Sequence, residues 1–219
     1  MTLFPSRIVC LTEETTETLY LLGEDARIVG ISGYTVRPPE ARQKPKVSGF
    51  TSAKFDKIMA LEPDLVLAFS DLQADIASEL IKRGVTVFAF NQRSVTEILQ
   101  MILTLARLVG CAEKGADLVA RLQNGLDAIA ESAKAFPHRA RVFFEEWNEP
   151  LISGIRLVEE LIEIAGGEPI YPELREGKVA KDRTLDPLEV AARDPEVVID
   201  PSLAPTEVLD PAARSSAAT

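Results

Sequence analysis

The feature that most constrains this chain is a phrase that is written twice. Residues 58–69 read IMALEPDLVLAF, and residues 190–201 read VAARDPEVVIDP. In each copy a short helical run meets an acidic residue and a proline, which cannot continue the helix, and the aliphatic residues that follow form a buried strand. The repetition predicts two regions built on one α/β plan.

Strands and helices alternate along the first region. Between residues 32 and 50, three prolines and few apolar residues predict an extended loop. The strands LVLAF and VTVFAF are apolar on both faces, which is typical of a parallel sheet covered by helices on each side. The predicted strands are 7–11, 28–31, 65–69 and 85–90, and the predicted helices after the loop are 53–61, 71–83 and 94–109. In the second region the predicted strands are 141–145 and 197–199, and the predicted helices are 157–165 and 187–192.

A long helix follows, because apolar residues recur at helical spacing between Leu118 and Ala133. About 22 residues of helix span roughly 33 Å, enough to join two lobes. The fold class predicted is α/β, with two Rossmann-like lobes with parallel sheets joined by one long helix and the second lobe incomplete. The predicted boundaries are an N-terminal lobe at 1–112, the connecting helix at 113–137, a C-terminal lobe at 138–200 and a disordered or non-native tail at 201–219.

Composition excludes several classes of function. The 24 basic and 34 acidic residues give a net charge of -10, which disfavours nucleic acid and anionic lipid as partners. With His138 as the only histidine, a multi-histidine zinc site cannot be assembled, and no Gly-x-Ser-x-Gly turn is present to hold a nucleophilic serine. Cys10 and Cys111 are predicted to be buried or half-buried apolar residues. No apolar run reaches the ~18 residues of a membrane span, and we find no export signal.

The candidate binding residues follow the predicted strands, because ligands of open α/β sheets lie beyond the carboxyl ends of the strands. Flat aromatic side chains with a few hydrogen-bonding groups suit a large, partly apolar ligand held between two lobes. Packing in the core is the alternative for Phe50, Phe69 and Trp147, and a solvated acidic loop is the alternative for Glu146. The candidate ligand-binding residues are Tyr34, Arg37, Phe50, Phe69, Ser70, Asn91, Glu146 and Trp147.

A hydrolase is a competing hypothesis. Glu145 or Glu146 together with Asp71 would act as paired carboxylates, one as the acid and one as the base. No nucleophile, phosphate-binding loop or metal cluster accompanies them in the sequence, so we expect the chain not to be an enzyme.

Several segments in order resemble one family over about residues 6–200. They are RIVCLTEETTETLYLLGEDARIVGIS, YTVRPPEARQKPKVSG, FDKIMALEPDLVLAF, the long helix, and DPLEVAARDPEVVI. Together they are similar to the substrate-binding proteins of ABC importers for cobalamin, ferric siderophores and heme. EEWNEPLISG and VAKDR look most like the cobalamin-binding branch.

The resemblance implies a ligand without covalent chemistry, with cobalamin or another corrinoid as the bound ligand, no covalent cofactor and no resident metal. It places Phe50 and Phe69 among the aromatic residues that line the cleft, and Arg37 where the family has another aromatic. Heme with Tyr34 as axial ligand and a ferric siderophore stay open. The basic residues that an anionic siderophore requires would be Arg37, Arg42 and Arg183.

The resemblance also implies an ABC transporter permease as partner, docked through one acidic residue on each lobe. Asp56 matches this position in the first lobe, whereas the repeat puts Leu188 at the equivalent position of the second, with Glu189 adjacent. The family works at a periplasmic or extracytoplasmic location, but without an export signal the chain would be cytoplasmic as encoded, so a cytoplasmic corrinoid carrier remains an alternative. After Ile199 the family continues with further elements. The resemblance therefore predicts uncovered apolar surface on the second lobe, and either a homodimer through it or marginal stability.

Overall fold

The computed structural model describes residues 3–177 and 179–201, which form two compact units divided between Ala128 and Ile129. Apart from Pro201, the tail predicted at 201–219 lies outside the described residues. The strands of the first unit are β1 (Ile8–Cys10), β2 (Ile28–Ser32), β3 (Lys46–Ser48), β4 (Leu65–Phe69) and β5 (Val87–Phe90). All neighbouring pairs are parallel, in the order β3-β2-β1-β4-β5. The predicted parallel α/β sheet is therefore confirmed. The prediction of an unbroken loop over 32–50 is wrong at β3, because a three-residue strand is too short to show an alternating pattern.

Helices cover the sheet of the first unit. They are α1 (Glu13–Leu21), α2 (Phe55–Ala60), α3 (Ala74–Lys82) and α4 (Val95–Leu108), and a 3-10 turn, Asp71–Gln73, precedes α3. The hydroxyl of Ser94 accepts a hydrogen bond from the backbone of Glu97, and the Glu97 carboxylate accepts one from Arg93 N. These reciprocal bonds fix the start of α4 next to the end of β5.

Strand β1 is buried on both faces. Ile8 and Cys10 pack into one apolar cluster, and Val9 and Leu11 pack into a second cluster on the opposite face. Burial raises the pKa of the Cys10 thiol to about 12, against the bonds from Thr15 and Thr16. This side chain is therefore an inert part of the core, as its sequence context predicted.

The predicted long helix is confirmed as α5 (Ala112–Ala133), which has 22 residues. It crosses the division between the two compact units at Ala128 and Ile129.

The second unit is built on β6 (Arg141–Asn148), which pairs with β7 (Leu151–Ser153), β8 (Glu168–Pro169) and β9 (Val197–Ile199). Its helices are α6 (Arg156–Ile164) and α7 (Pro187–Ala192). Strands β8 and β9 are parallel to β6, whereas β7 is antiparallel and forms a hairpin with it. The predicted end of the first strand at residue 145 is wrong, because cross-strand bonds to β7 continue β6 through its charged residues.

The repeated phrase folds in the same way in both units. Two residues beyond the end of each helix, α2 and α7, an acidic residue adopts the left-handed region, Glu62 at φ 46° and Asp194 at φ 50°. A proline follows directly, so the helix cannot restart, and β4 or β9 begins two residues later. The structure thus confirms the shared plan that the sequence predicts.

The acidic residue after each proline holds the start of the neighbouring strand. Asp64 accepts hydrogen bonds from the backbone of Ser6 and Arg7 (2.8 and 2.9 Å), and Glu196 accepts one from the backbone of Arg141 (2.8 Å). The side chains of Arg7 and Arg141 then donate to carbonyls at the ends of α2 and α7 respectively. The same pattern of hydrogen bonds between an acidic residue and an arginine therefore sets the register of β1 against β4 and of β6 against β9.

Candidate functional site

Three aromatic candidates lie beyond the carboxyl ends of the strands of the first unit. Tyr34 and Phe50 are 64% and 37% exposed, and Phe69 is half-buried at the end of β4. The Tyr34 ring lies 3.9 Å from the position that a Cβ on Gly49 would take, so it is next to the Phe50 segment. Large apolar side chains with this exposure at strand ends form a surface that a flat ligand can contact.

A buried glutamine that the sequence reasoning missed joins these segments. Gln73 is fully buried, and its side-chain amide bonds to backbone groups of Phe50, Phe69 and Leu11. Phe69 of β4 and Phe50 of the loop after β3 are therefore both held by the same side chain. The sequence signal was weak, since a glutamine in the turn after a strand end is usually a solvated residue.

A second missed residue is Arg93, whose guanidinium lies over the Phe69 ring at 5.1 Å from the ring centroid. The same guanidinium is 3.4 Å from a carboxylate oxygen of Asp71. The cation therefore covers part of the aromatic surface while remaining within reach of an acceptor on a ligand. Its position two residues after Asn91, at the end of β5, is the signal that would have identified it.

Ser70, the residue after β4, has an unusual backbone, with φ 51° and ψ −175°. This region is favoured by glycine and costs of order 1–3 kcal/mol for another residue. Its hydroxyl accepts a hydrogen bond from Leu72 N at 3.2 Å and is buried. The structure therefore gives Ser70 a role in the turn, and the predicted ligand contact stays a prediction.

The two remaining candidates of this unit are exposed. Arg37 lies 4.0 Å from a carboxylate oxygen of Glu17, with most of its side chain in solvent. Asn91 follows β5 and lines a groove of about 280 Å³ whose lining mixes polar residues such as Gln92 and Gln100 with apolar ones. Ser70 N donates to Phe90 O at 2.7 Å, which places the end of β5 beside the Ser70 turn.

In the second unit, Glu146 and Trp147 lie within β6 rather than after it. Glu146 forms a salt bridge with the guanidinium of Arg183, which is 3% exposed and also donates to Ser153 O. Trp147 is 61% exposed, and its indole donates to Glu149 O at 3.0 Å. The Glu146 carboxylate is thus held by its salt bridge, while the indole face of Trp147 is exposed and can contact a ligand.

Burial raises the pKa of two carboxylic acids among the described residues. It raises the pKa of Glu13, which begins α1 directly beyond β1. It also raises the pKa of Glu159 in α6, against the bond from Arg175. Glu159 and the buried Tyr171 line the same small cavity of the second unit.

An apolar groove of about 660 Å³ lies in the second unit. Its lining is apolar apart from His138, and it includes Ile199 of β9. The three residues of this strand are 41%, 57% and 40% exposed. The uncovered apolar surface that the sequence predicts is therefore present among residues 129–177 and 179–201. It lacks the hydrogen-bonding groups that orient a polar cofactor.

The two predicted docking residues lie on the first turns of α2 and α7. The Asp56 side chain is fully exposed, with Arg83 at 3.5 Å. Glu189 lies 3.5 Å from Arg193, which also binds Glu173. Leu188, at the position equivalent to Asp56, is 78% exposed.

Within the part of the chain that the structure describes, no group of three or more His, Cys, Asp and Glu residues could hold a metal ion. No helix among the described residues has the length and hydrophobicity required to cross a membrane.

A parallel α/β sheet with aromatic and polar side chains beyond the carboxyl ends of its strands is the architecture of an α/β ligand-binding protein. The family model described as periplasmic binding protein matches residues 8–202, which is most of the chain. The chain therefore belongs to the periplasmic binding protein family. The resemblance seen in the sequence is confirmed at this level.

A cobalamin-binding protein of Halobacterium salinarum is 27% identical over 199 residues, which cover 89% of this chain and 53% of that protein. The chain thus spans about half the length of this relative.

Two solved structures share the fold. The periplasmic vitamin B12 binding protein BtuF of Vibrio cholerae has a TM-score of 0.75 at 21% identity, covering 90% of this chain and 76% of that one. The periplasmic heme-binding protein RhuT of Roseiflexus sp. RS-1, in apo form, has a TM-score of 0.76 at 22% identity, covering 89% and 76%. At these identities the likeness supports the fold and leaves the ligand open.

Proposed function

We propose that the chain binds a large, flat cofactor-like ligand, most directly cobalamin or another corrinoid, and delivers it to an ABC importer without catalysing a reaction. Such a role belongs outside the cytoplasmic membrane, as the family implies. The expectation that the ligand lies between two lobes joined by α5 stays a prediction.

The observation that carries the proposal is the aromatic strand-end face of the first unit, Tyr34, Phe50 and Phe69. One buried amide, that of Gln73, holds the backbones of Phe50 and Phe69. Rigid aromatic groups that are partly exposed and fixed by the backbone bind a flat ligand at low entropic cost. The name of the Halobacterium salinarum relative supports a corrinoid as this ligand.

Heme is the second candidate ligand. Tyr34 is exposed and near the Phe50 segment, so its phenol is accessible as an axial ligand. The heme-binding protein of Roseiflexus sp. RS-1, which shares the fold, supports heme as the second candidate.

An anionic ferric siderophore is less well supported. Two of the three arginines that it would require are engaged, because Arg42 donates to Val36 O at 2.9 Å and Arg183 is buried against Glu146. Arg37 is largely exposed, and Arg93 lies over the Phe69 ring although it is also paired with Asp71.

The hydrolase hypothesis also loses support from the described contacts. Asp71 is paired with Arg93 and Glu146 with Arg183, so two of the three proposed carboxylates already have a cationic partner.

Docking on the importer is proposed through Asp56, whose exposed carboxylate can pair with an arginine of the permease. Glu189 shares Arg193 with Glu173, so we propose it as the weaker contact. Charge reversal by Asp56→Lys is expected to abolish binding to the importer in proteoliposomes and to leave ligand affinity unchanged. Unchanged binding to the importer would contradict this assignment.

The proposal is tested by titrating the purified chain with cyanocobalamin, hemin and a ferric catecholate chelate. The visible spectrum and the fluorescence of Trp147, the only tryptophan, report binding. We expect saturable binding of cyanocobalamin at one ligand per chain. Failure of all three ligands to bind would refute the proposal, whereas preferential hemin binding would select the second candidate.

A further inference from the structure

Gln73 is the buried polar residue with the most connections near the proposed site. It ends the 3-10 turn that follows β4, and its side chain is fully excluded from solvent. Its Oε1 accepts from Phe69 N at 2.9 Å, and its Nε2 donates to Phe50 O at 2.9 Å and to Leu11 O at 3.3 Å.

These three bonds use one acceptor and both donor hydrogens of the amide, and they determine its orientation. Rotating the amide by 180° would face its oxygen toward two carbonyls and its NH₂ group toward a backbone N–H. All three partners are main-chain groups, so the amide fixes backbone positions and, through them, the origins of the side chains.

Two of the partners carry the rings of the proposed site, and the third lies at the end of the central strand β1. Leu11 and Phe50 are 62 and 23 residues away from Gln73 in the sequence. A single side chain therefore links three distant segments at one edge of the sheet. The adjoining turn is closed by the left-handed Ser70, whose hydroxyl holds Leu72 N.

We propose that Gln73 is a positioning residue that presents Phe50 and Phe69 to the ligand with a fixed separation. This inference rests on the proposed function of the same face. Without the amide, the loop that carries Phe50 loses its bond to the β4 turn, and a ligand that contacts both rings must then order that loop when it binds. Gln73 acts through the two aromatic residues and does not touch the ligand.

The test compares Gln73→Met, which keeps a similar side-chain volume but removes all three hydrogen bonds, with Gln73→Asn, which keeps a shorter amide. Cyanocobalamin affinity is measured by fluorescence titration, and hydrogen exchange of the 49–52 loop is measured without ligand. We expect Gln73→Met to weaken binding about tenfold and to increase exchange in the loop, with a smaller effect for Gln73→Asn.

Leu105→Ala provides a matched control, because Leu105 is fully buried in α4 and is outside these contacts. It is expected to lower stability without changing the affinity or the exchange of the 49–52 loop. In a Phe50→Ala background, Gln73→Met should cause little further loss of affinity, since the ring that it positions is gone.

Three outcomes separate the two proposals. Unchanged loop exchange in Gln73→Met overturns the positioning role, and so does a loss of affinity of equal size with and without Phe50. If the wild-type chain binds none of cyanocobalamin, hemin and the ferric chelate, the proposed function falls. Increased exchange in Gln73→Met would still support the role of the amide in holding the loop.

Discussion

Replacing Phe69 by alanine distinguishes a ligand-binding ring from a ring that only packs. Phe69 is half-buried and has the Arg93 guanidinium at 5.1 Å. Loss of an exposed cation–π contact costs ~0.5–1 kcal/mol, and loss of part of the ring's burial costs about 1 kcal/mol. We therefore expect the free energy of unfolding to fall by about 1–2 kcal/mol.

The effect on ligand binding is expected to be at least as large. A ring at the centre of a contact surface contributes roughly 1–3 kcal/mol, which is about 5- to 150-fold in Kd. The assay is a fluorescence titration with cyanocobalamin, accompanied by urea unfolding of the same samples.

Phe88→Ala is the matched control for this prediction. Phe88 is half-buried on β5, packs against the core and has its ring 4.7 Å from that of Phe90. It should lower the free energy of unfolding without changing Kd. If Phe69→Ala lowers stability while Kd stays at the wild-type value, the ring belongs to the core and the reasoning for the aromatic face is wrong.

Three further predictions concern stability and association. Glu146→Gln should lower the free energy of unfolding in urea by about 2 kcal/mol, because this variant leaves the buried guanidinium of Arg183 without its carboxylate. Arg183→Met removes the buried charge itself and should therefore destabilise the chain less. The second prediction concerns Asp64. Burial alone would raise the pKa of this carboxyl, but the hydrogen bonds that it accepts from the backbone N–H groups of Ser6 and Arg7 hold its pKa below the usual value. Asp64 therefore stabilises the fold above its unfolded-state pKa of ~3.9, and this stability is lost as the pH falls through the lower folded pKa. Thermal melts of Asp64→Asn should not show this loss. Uncovered apolar residues of β9 predict self-association of the chain with a second copy in light scattering, which Val198→Lys should abolish.

The outcomes that would contradict these predictions are specific. Equal destabilisation by the two variants of the Glu146–Arg183 pair would mean that the buried charge does not require its partner. Parallel melting curves for wild type and Asp64→Asn between pH 5 and pH 2 would contradict the role of Asp64. A wild-type monomer with a high melting temperature would contradict self-association.

Much of the fold could be predicted because prolines and short runs of apolar residues mark the elements plainly. The strand Leu65–Phe69, the helix Pro187–Ala192 and the strand Val197–Ile199 have the predicted bounds. In each case the repeated acid-proline-acid phrase separates a helix from a strand that pairs in parallel with its neighbour. The predicted burial of that strand is confirmed for β4 but wrong for β9, whose three residues are exposed.

Three short strands were not predicted. β3, β7 and β8 are each too short for a periodic pattern, and the charged residues of β6 concealed its continuation into the hairpin with β7. Pairing partners, rather than local sequence, determine these elements.

The candidate site was predicted in part. Its aromatic residues were found because strand ends in α/β sheets are the usual ligand sites. Gln73 and Arg183 were not identified as organising residues, because their partners are far away in the sequence, at separations of 62 residues for Leu11 and 37 for Glu146. Such contacts are set by the folded chain and leave no periodic signal.

Equilibrium dialysis of cyanocobalamin against the wild-type chain and the Phe50→Ala/Phe69→Ala variant tests the central claim most directly. We predict that the wild-type chain retains one cobalamin per chain and that the variant binds at least ~10-fold more weakly while remaining folded. The absence of retention by the wild-type chain, or equal retention by a folded variant, would contradict the claim that the aromatic strand-end face binds a corrinoid.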